Sequence, residues 1–319
     1  MATANEIEAL VRAWARRDDD MFVRMVRVMS ANARRGGKPS PHADRLDGLV
    51  GVKRAALEAP KDKDSGMALG RFREASVSFD AMALNAGTTA ATEQFLAEVA
   101  VWSKLEERGI RRRNRVLLHG PAGCGKSSFA SALAERLDRE LLVVETAAIT
   151  GSLLGQTSKN ISALFDFLEH GSYVVLFDEF DSLGRDRSAE HEHGEIRRAT
   201  NVLLQKIEEY TGDSIVVAAT NHEGLLDDAL WRRFDFVTEL PLPSQAERAA
   251  ILDQLNLGDE ALIDEMATRL DGLSHAAAAY ARDSAWRLAL THGRERPGTD
   301  DLRVAVAGSL ERRWTGDRR

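Results

Sequence analysis

The chain has 319 residues, of which 44% are hydrophobic and 29% are charged, and its formal net charge is −7 at pH 7. This composition is typical of a globular protein with a normal core and excludes an intrinsically disordered chain. The acidic balance argues against general nucleic-acid binding, because proteins of that class usually present a basic face.

The lone cysteine excludes a disulfide within the chain and fits a reducing compartment. No apolar run is long enough to cross a membrane, and the first ten residues lack the basic stretch followed by an apolar one that marks a secretory leader. We therefore expect a cytoplasmic protein with no membrane partner.

Residues 1–58 are predicted to form a small helical domain that selects a substrate or partner. Apolar residues recur at helical spacing in residues 6–17, again in the stretch after residue 20, and more weakly in residues 43–57. The arginines in this region indicate either a surface for nucleic acid or an acidic partner, or a solvated helical face, which we favour. Residues 59–71 include the sequence APKDKDSG and are predicted to be a linker.

The rest of the sequence is organised around residues 115–137, RVLLHGPAGCGKSSFASALAERL. A short apolar strand, a glycine-rich loop and an amphipathic helix follow one another there. The loop, residues 120–127, satisfies the pattern G-x-x-x-x-G-K-S. Glycines let successive backbone N–H groups point at one anion at the positive end of the helix. The stretch therefore predicts a phosphate-binding loop.

Two side chains of this loop have specific chemical roles in such a site. Lys126 would contact the β- and γ-phosphates, and the hydroxyl of Ser127 would bind Mg²⁺. Cys124 occupies a free position of the motif, and we interpret it as a small packed side chain, because the motif places no base beside it.

Apolar runs that predict strands alternate with helical patterns before residue 243, which is typical of a parallel α/β sheet. The predicted strands after the first are residues 140–146, 173–177, 215–219 and 236–240, and the predicted helices are residues 93–107, 158–170 and 196–210. From residue 244 onward only helices are predicted, at residues 245–255, 260–270, 275–292 and 300–314. We therefore expect a large α/β domain over residues 72–243 and an all-α domain over residues 244–319.

The pair Asp178 and Glu179 directly follows the strand at residues 173–177, at the edge where open α/β sheets bind ligands. Phosphoryl transfer to water needs a phosphate cradle, Mg²⁺, and a group that orients or deprotonates water. Asp178 would hold Mg²⁺ through water, and Glu179 would be the general base. The alternative is that the pair only caps the next helix, and the preceding phosphate loop makes catalysis the stronger hypothesis.

Four segments together resemble the AAA family of ATPases over residues 72–319: GPAGCGKS, VVLFDEFDSLGRDR, VVAATN and ALWRRFDFVTELPLPSQAERAAIL. The resemblance implies an α/β P-loop NTPase fold with a five-stranded parallel sheet and a helical lid. It also implies an ATPase with ATP and Mg²⁺ as cofactors, ATP at the junction between subunits, and a homo-oligomeric ring, usually a hexamer.

The same resemblance implies roles for further residues. Asn221 would be the first sensor that positions the attacking water. Arg232 and Arg233 match the arginine fingers of the family, and because they are adjacent here, which one is the finger stays open. The adenine-contacting stretch of the family falls on residues 80–83, and the lid segment GLSHAAAAYARD, residues 272–283, resembles its second-sensor helix without the family's arginine, with small residues that pack near adenine and ribose. The residues implied to bind the nucleotide are Ala81, Asp178, Ala276 and those of the loop; the loop residues are Gly120, Pro121, Ala122, Gly123, Cys124, Gly125, Lys126, Ser127 and Ser128.

The central-pore loop of the family falls on Leu153, Leu154 and Gly155, where a leucine replaces the usual aromatic residue. An ordinary apolar loop packed on the sheet is the alternative interpretation.

We hypothesise an ATP-driven ring that remodels, unfolds or activates a protein client. The amino-terminal stretch resembles that of bacterial AAA proteins encoded beside subtilisin-type serine proteases, which implies a serine protease or its products as partner. The alternatives are a DNA-directed ATPase of the helicase-loader type and a nucleotide-gated scaffold that threads nothing. The sequence names no client.

Overall fold

The structure, a computed structural model, describes residues 59–62, 64–146, 156–180, 193–222 and 231–314, with the backbone alone for residues 193–199. Within residues 1–58 it describes six helical residues, namely Ile7, Val11, Arg12, Phe22, Val26 and Met29. The other residues of the predicted amino-terminal helices, and Leu153, Leu154 and Gly155, lie outside the described residues. The chain divides into two compact units, Met1–Glu58 and Ala59–Arg319.

The described part of the second unit contains a six-stranded sheet in the order β1-β3-β4-β5-β2-β6. Five strands are parallel and build the sheet that the sequence predicts. The strands are β1 Gly70–Arg73, β2 Arg115–His119, β3 Glu140–Val144, β4 Tyr173–Phe177, β5 Ile215–Thr220 and β6 Phe236–Glu239.

The sixth strand, β1, is an addition to the five that the sequence predicts. It runs antiparallel to β3 at the edge of the sheet, and it includes residues 70 and 71, which the sequence places in the linker. Its four residues, GRFR, contain two arginines and a single large apolar residue. A short edge strand of this composition carries no hydrophobic alternation long enough to predict it.

Nine α-helices lie within the described ranges. They are α1 Ala86–Val99, α2 Trp102–Glu106, α3 Lys126–Arg136, α4 Gln156–Leu168, α5 His193–Glu209, α6 Gln245–Asp253, α7 Glu260–Arg269, α8 His275–Thr291 and α9 Thr299–Glu311. None of these described helices has both the length and the apolar run that a membrane span requires.

The single helix predicted over residues 93–107 is wrong in its bounds. Two helices, α1 and α2, occupy this region, and α1 begins earlier because the side chain of Asn85 caps it by accepting a hydrogen bond from the Thr88 N–H, at 2.8 Å. The first turns of α1 bury Thr88 and Thr92, which hydrophobic spacing does not detect.

The core of the second unit has two parts. Strands β4 and β5 are buried along their whole length, and α3 packs Phe129 and Leu133 against the sheet. The last four helices form a separate apolar cluster that includes Leu252, Met266 and Leu302. The loops of the candidate site lie between the sheet and this helical lid.

Candidate active site

Sheet order brings three predicted site segments together. The phosphate loop follows β2, the pair Asp178 and Glu179 follows β4, and Asn221 follows β5. Because β5 lies between β4 and β2 and all three are parallel, their carboxyl ends meet at one edge of the sheet. Asn221 is therefore placed between the phosphate loop and the acidic pair.

The phosphate loop has the backbone that its glycines predict. Gly120, Gly123 and Gly125 have φ angles of 131°, 76° and 90°, which L side chains rarely adopt. A Cβ on Gly120 would lie 2.2 Å from the carbonyl oxygen of Leu240, so the loop also needs glycine in order to pass close to the end of β6. The loop conformation thus depends on the sheet beneath it.

Lys126 is buried at the start of α3 and points back into the loop. Its Nζ donates hydrogen bonds to the carbonyl oxygens of Gly120 at 2.7 Å and Pro121 at 2.8 Å. These bonds satisfy the buried ammonium group and keep it within the loop. A phosphate in the loop would offer the same group a charged acceptor.

The two predicted Mg²⁺ ligands contact each other. The hydroxyl of Ser127 donates to Oδ2 of Asp178 at 2.6 Å. A hydroxyl and a carboxylate oxygen are hard donors of the kind that Mg²⁺ prefers, and it commonly binds proteins through one or two carboxylates together with substrate phosphates. The residues present therefore fit the predicted ion, with Ser127 and Asp178 as the groups that would hold it.

Glu179 has an unusual backbone for a residue other than glycine. Its φ is 48°, and its N–H donates to Oδ1 of Asp178 at 2.9 Å. Left-handed backbone at such a residue costs about 1–3 kcal/mol and is concentrated at functional sites. The exposed side chain of Glu179 lines the same cavity as Asp178 and Asn221.

This cavity, of about 480 Å³, lies between the sheet edge and the lid. It brings together most of the residues predicted to bind the nucleotide, in addition to the acidic pair and Asn221; those in its wall are Ala81, Ala122, Gly123, Cys124, Gly125, Lys126, Ser127, Ser128 and Ala276. Gly120 and Pro121 contribute their carbonyl groups to Lys126 instead. The volume lies in the usual range for small-molecule sites.

Cys124 is 2% exposed and belongs to the core cluster beneath the loop. Burial raises the pKa of its thiol, opposed by the positive charge of Lys126. The side chain is therefore a neutral packing group at neutral pH, and the geometry gives it no role as a nucleophile.

The lid closes the other side of the cavity. The N–H of Ala276 donates to the carbonyl of Gly123 at 3.0 Å, and a Cβ on Gly123 would lie 2.8 Å from Oγ of Ser274. Nε2 of His275 hydrogen-bonds the carbonyl of Ala83 at 3.1 Å. The start of α8 therefore contacts both the phosphate loop and the segment that matches the adenine-contacting stretch.

Sequence reasoning missed part of the cavity wall, namely Val77, Leu84, Ile251, His275 and Arg282. These residues come from three separate segments that only the tertiary fold brings together. For α8, helical spacing could have predicted the missed wall residues from Ala276, because positions 275, 276, 279 and 282 lie on one helical face.

Arg232 and Arg233 do not line this cavity in the described part of the chain. Arg232 is exposed, whereas Arg233 is partly buried and pairs with Glu208, with Nε 3.3 Å from Oε2. The two adjacent arginines therefore have different environments, a difference that their sequence positions do not predict.

The fold and the loop define a P-loop nucleotide-binding protein. Residues 116–242 match the family model described as "ATPase family associated with various cellular activities (AAA)". The matched part of the chain belongs to the AAA family, and the resemblance that the four motifs indicate is confirmed.

Several curated proteins are similar to this chain. An uncharacterized AAA family ATPase, y4kL, of Sinorhizobium fredii is 38% identical over 143 residues, covering 45% of this chain and 43% of that protein. The ATP-dependent zinc metalloprotease FtsH 3 of Sphaerobacter thermophilus is 34% identical over 235 residues, which are 69% of this chain and 48% of that protein. A proteasome-activating nucleotidase of Methanoculleus marisnigri is 30% identical over 212 residues, which are 63% of this chain and 52% of that protein. The chain spans about half the length of these relatives.

Proposed function

We propose that this chain hydrolyses ATP to ADP and phosphate in the cavity between the sheet edge and the lid. One observation carries the proposal: Ser127, on the helix that follows the phosphate loop, contacts Asp178, and Glu179 and Asn221 line the same cavity. These are the parts that phosphoryl transfer to water requires, positioned by three neighbouring strands.

Each residue has a step that its position supports. The loop N–H groups and Lys126 bind the phosphates, and Lys126 exchanges its two carbonyl acceptors for phosphate oxygens. Asn221 orients the attacking water, and Glu179 accepts its proton. Mg²⁺ held by Ser127 and Asp178 would neutralise charge on the β- and γ-phosphates.

We propose further that the active form is a homo-oligomeric ring, with a hexamer as the form that the family likeness favours, and that Arg232 is the arginine finger. Arg232 is exposed and lies outside the described wall of its own cavity, which supports a role at the nucleotide of the next subunit. Arg233 already pairs with Glu208 in its own chain. If the arginine of each subunit contacts the nucleotide of the next subunit, the same contact repeats around an axis, and the assembly can close into a ring.

The proposed substrate class is a protein client. The relatives include an ATP-dependent metalloprotease and proteasome-activating nucleotidases, so their names link this type of domain to proteolysis. A serine protease as partner, and a pore loop at residues 153–155, stay predictions from the sequence. Binding to duplex DNA at physiological salt would instead favour the helicase-loader alternative.

The direct test is phosphate release from ATP with Mg²⁺ or with a chelator. We expect turnover that the chelator abolishes, and we expect Lys126→Ala to lose both ATP binding and turnover, because the lysine contacts ground-state phosphates. Lys104→Ala, an exposed lysine on α2, is the control and should behave like the parent. A Lys126→Ala variant that hydrolyses ATP at the parent rate would contradict the proposal.

A further inference from the structure

The cavity has an end that the phosphate chemistry does not use. Away from the phosphate loop, its described wall consists of Val77, residues 81–84, Ile251 and one face of α8. That end is mostly apolar, and Arg282 of α8 brings a positive charge into it. The proposed mechanism of hydrolysis gives this arginine no role.

The direction of α8 shows which end of the cavity Arg282 occupies. The helix begins at the phosphate loop, where Ala276 donates to the carbonyl of Gly123. Arg282 is six residues further on, which is about 9 Å along the axis at 1.5 Å per residue. A nucleotide whose phosphates occupy the loop would extend its base in this direction.

The guanidinium of Arg282 is held in a defined orientation. Its Nε donates to Oδ1 of Asp283 at 2.8 Å, its Nη2 lies 2.8 Å from the same oxygen, and its Nη1 donates to Oε1 of Gln254. The side chain is 27% exposed. These two neighbours engage three of the five N–H groups, all at the edge of the guanidinium, and leave its flat face unused.

We propose that Arg282 packs the flat face of its guanidinium against the base of the bound nucleotide. The inference rests on the proposed function, since it requires nucleotide in this cavity. Guanidinium groups stack on aromatic rings, and every nucleobase has a π-face that permits this. Arg282 is then a determinant of affinity for the nucleoside part, independent of the substituents on the purine ring and of the phosphates.

Equilibrium binding with Mg²⁺ present tests this assignment with three ligands: ATP, the purine riboside triphosphate that lacks the 6-amino group, and inorganic tripolyphosphate. For Arg282→Ala we expect Kd to rise about tenfold for both nucleotides, as a desolvated cation–π contact would give. Tripolyphosphate should bind as it binds the parent. Arg282→Lys, which keeps the charge and loses the plane, should recover little of the nucleotide affinity.

Arg287→Ala is the matched control, because Arg287 is exposed on the same helix and lies outside the cavity wall. It should bind all three ligands like the parent. Unchanged nucleotide binding by Arg282→Ala would overturn the assignment, and so would equal weakening of tripolyphosphate or full recovery by Arg282→Lys. A parent protein that binds neither ATP nor tripolyphosphate would overturn the proposed function itself.

Discussion

Replacing Gly120 by alanine should destabilise the ATPase unit through the contact between the phosphate loop and the end of β6. The new Cβ would lie 2.2 Å from the carbonyl oxygen of Leu240 and 2.9 Å from its carbonyl carbon. Both are backbone atoms, and the N–H of Leu240 donates to the carbonyl of His119 at 2.8 Å. To relieve the clash, the chain after β6 must move and weaken that bond.

The expected loss follows from two terms. A positive φ costs alanine about 1–2 kcal/mol in the left-handed helical region and at least as much at the 131° of Gly120, which lies outside that region. Overpacking against atoms that yield only by a backbone shift costs about 1–3 kcal/mol. The sum is about 2–5 kcal/mol in the free energy of unfolding. Gly109→Ala is the matched control, because Gly109 has a φ of 72° and nothing within 4 Å of its added Cβ. Gly109→Ala should lose only the free energy that its positive φ costs.

Urea titrations followed by tryptophan fluorescence would compare the two variants with the parent. We expect Gly120→Ala to be less stable than Gly109→Ala by at least about 1 kcal/mol, which is the smallest overpacking cost. If the two variants lose the same free energy, the close approach of the phosphate loop to β6 does not constrain the fold, and the reasoning fails.

Three further predictions concern single side chains. Arg232→Ala should lower ATP turnover by about 10³-fold or more while ATP still binds, and Arg233→Ala should lower it far less, as phosphate release and binding would show; the reverse order would reassign the finger. Burial lowers the pKa of His275, opposed by Glu247 and the Ala83 carbonyl, so the unfolded chain takes up this proton first and stability should fall as pH drops below about 6.5. His275→Gln should reduce that slope between pH 7.5 and 5 in urea titrations, and an unchanged slope would exclude His275 as its source. Cys124→Ala should keep ATP turnover within about twofold, because the buried thiol is neutral at pH 7, and loss of turnover would show a chemical role for the thiol.

Much of the fold is encoded in local pattern. β4 has the bounds that its continuous apolar run predicts, residues 173–177, because a strand buried on both faces has no polar positions that blur its ends. The phosphate loop is equally local, since each glycine is required by its own φ. Strand β1 could not be predicted, because its four residues become a strand only by pairing with β3.

The candidate site also has one end that local sequence predicts and one end that depends on tertiary packing. The phosphate end consists of short segments at strand ends, so the motifs and their places after predicted strands favour one shared site for Ser127, Asp178 and Asn221, which line the same cavity. The other end combines a loop, α6 and α8, and which face of α8 reaches the cavity depends on how the lid packs. Arg282 was therefore missed, although its helix was predicted. The different environments of Arg232 and Arg233 depend on Glu208, which is distant in sequence.

The central claim is that Glu179 acts on water during ATP hydrolysis, and Glu179→Gln tests it most directly when ATP binding and phosphate release are measured on the same preparation. The amide keeps the shape of the side chain and cannot accept the proton, so ATP should bind as in the parent while turnover falls by about 10²–10⁴-fold. Glu169→Gln, an exposed glutamate after α4, is the control and should leave both unchanged. Turnover at the parent rate in Glu179→Gln, or loss of ATP binding together with turnover, would contradict the assignment.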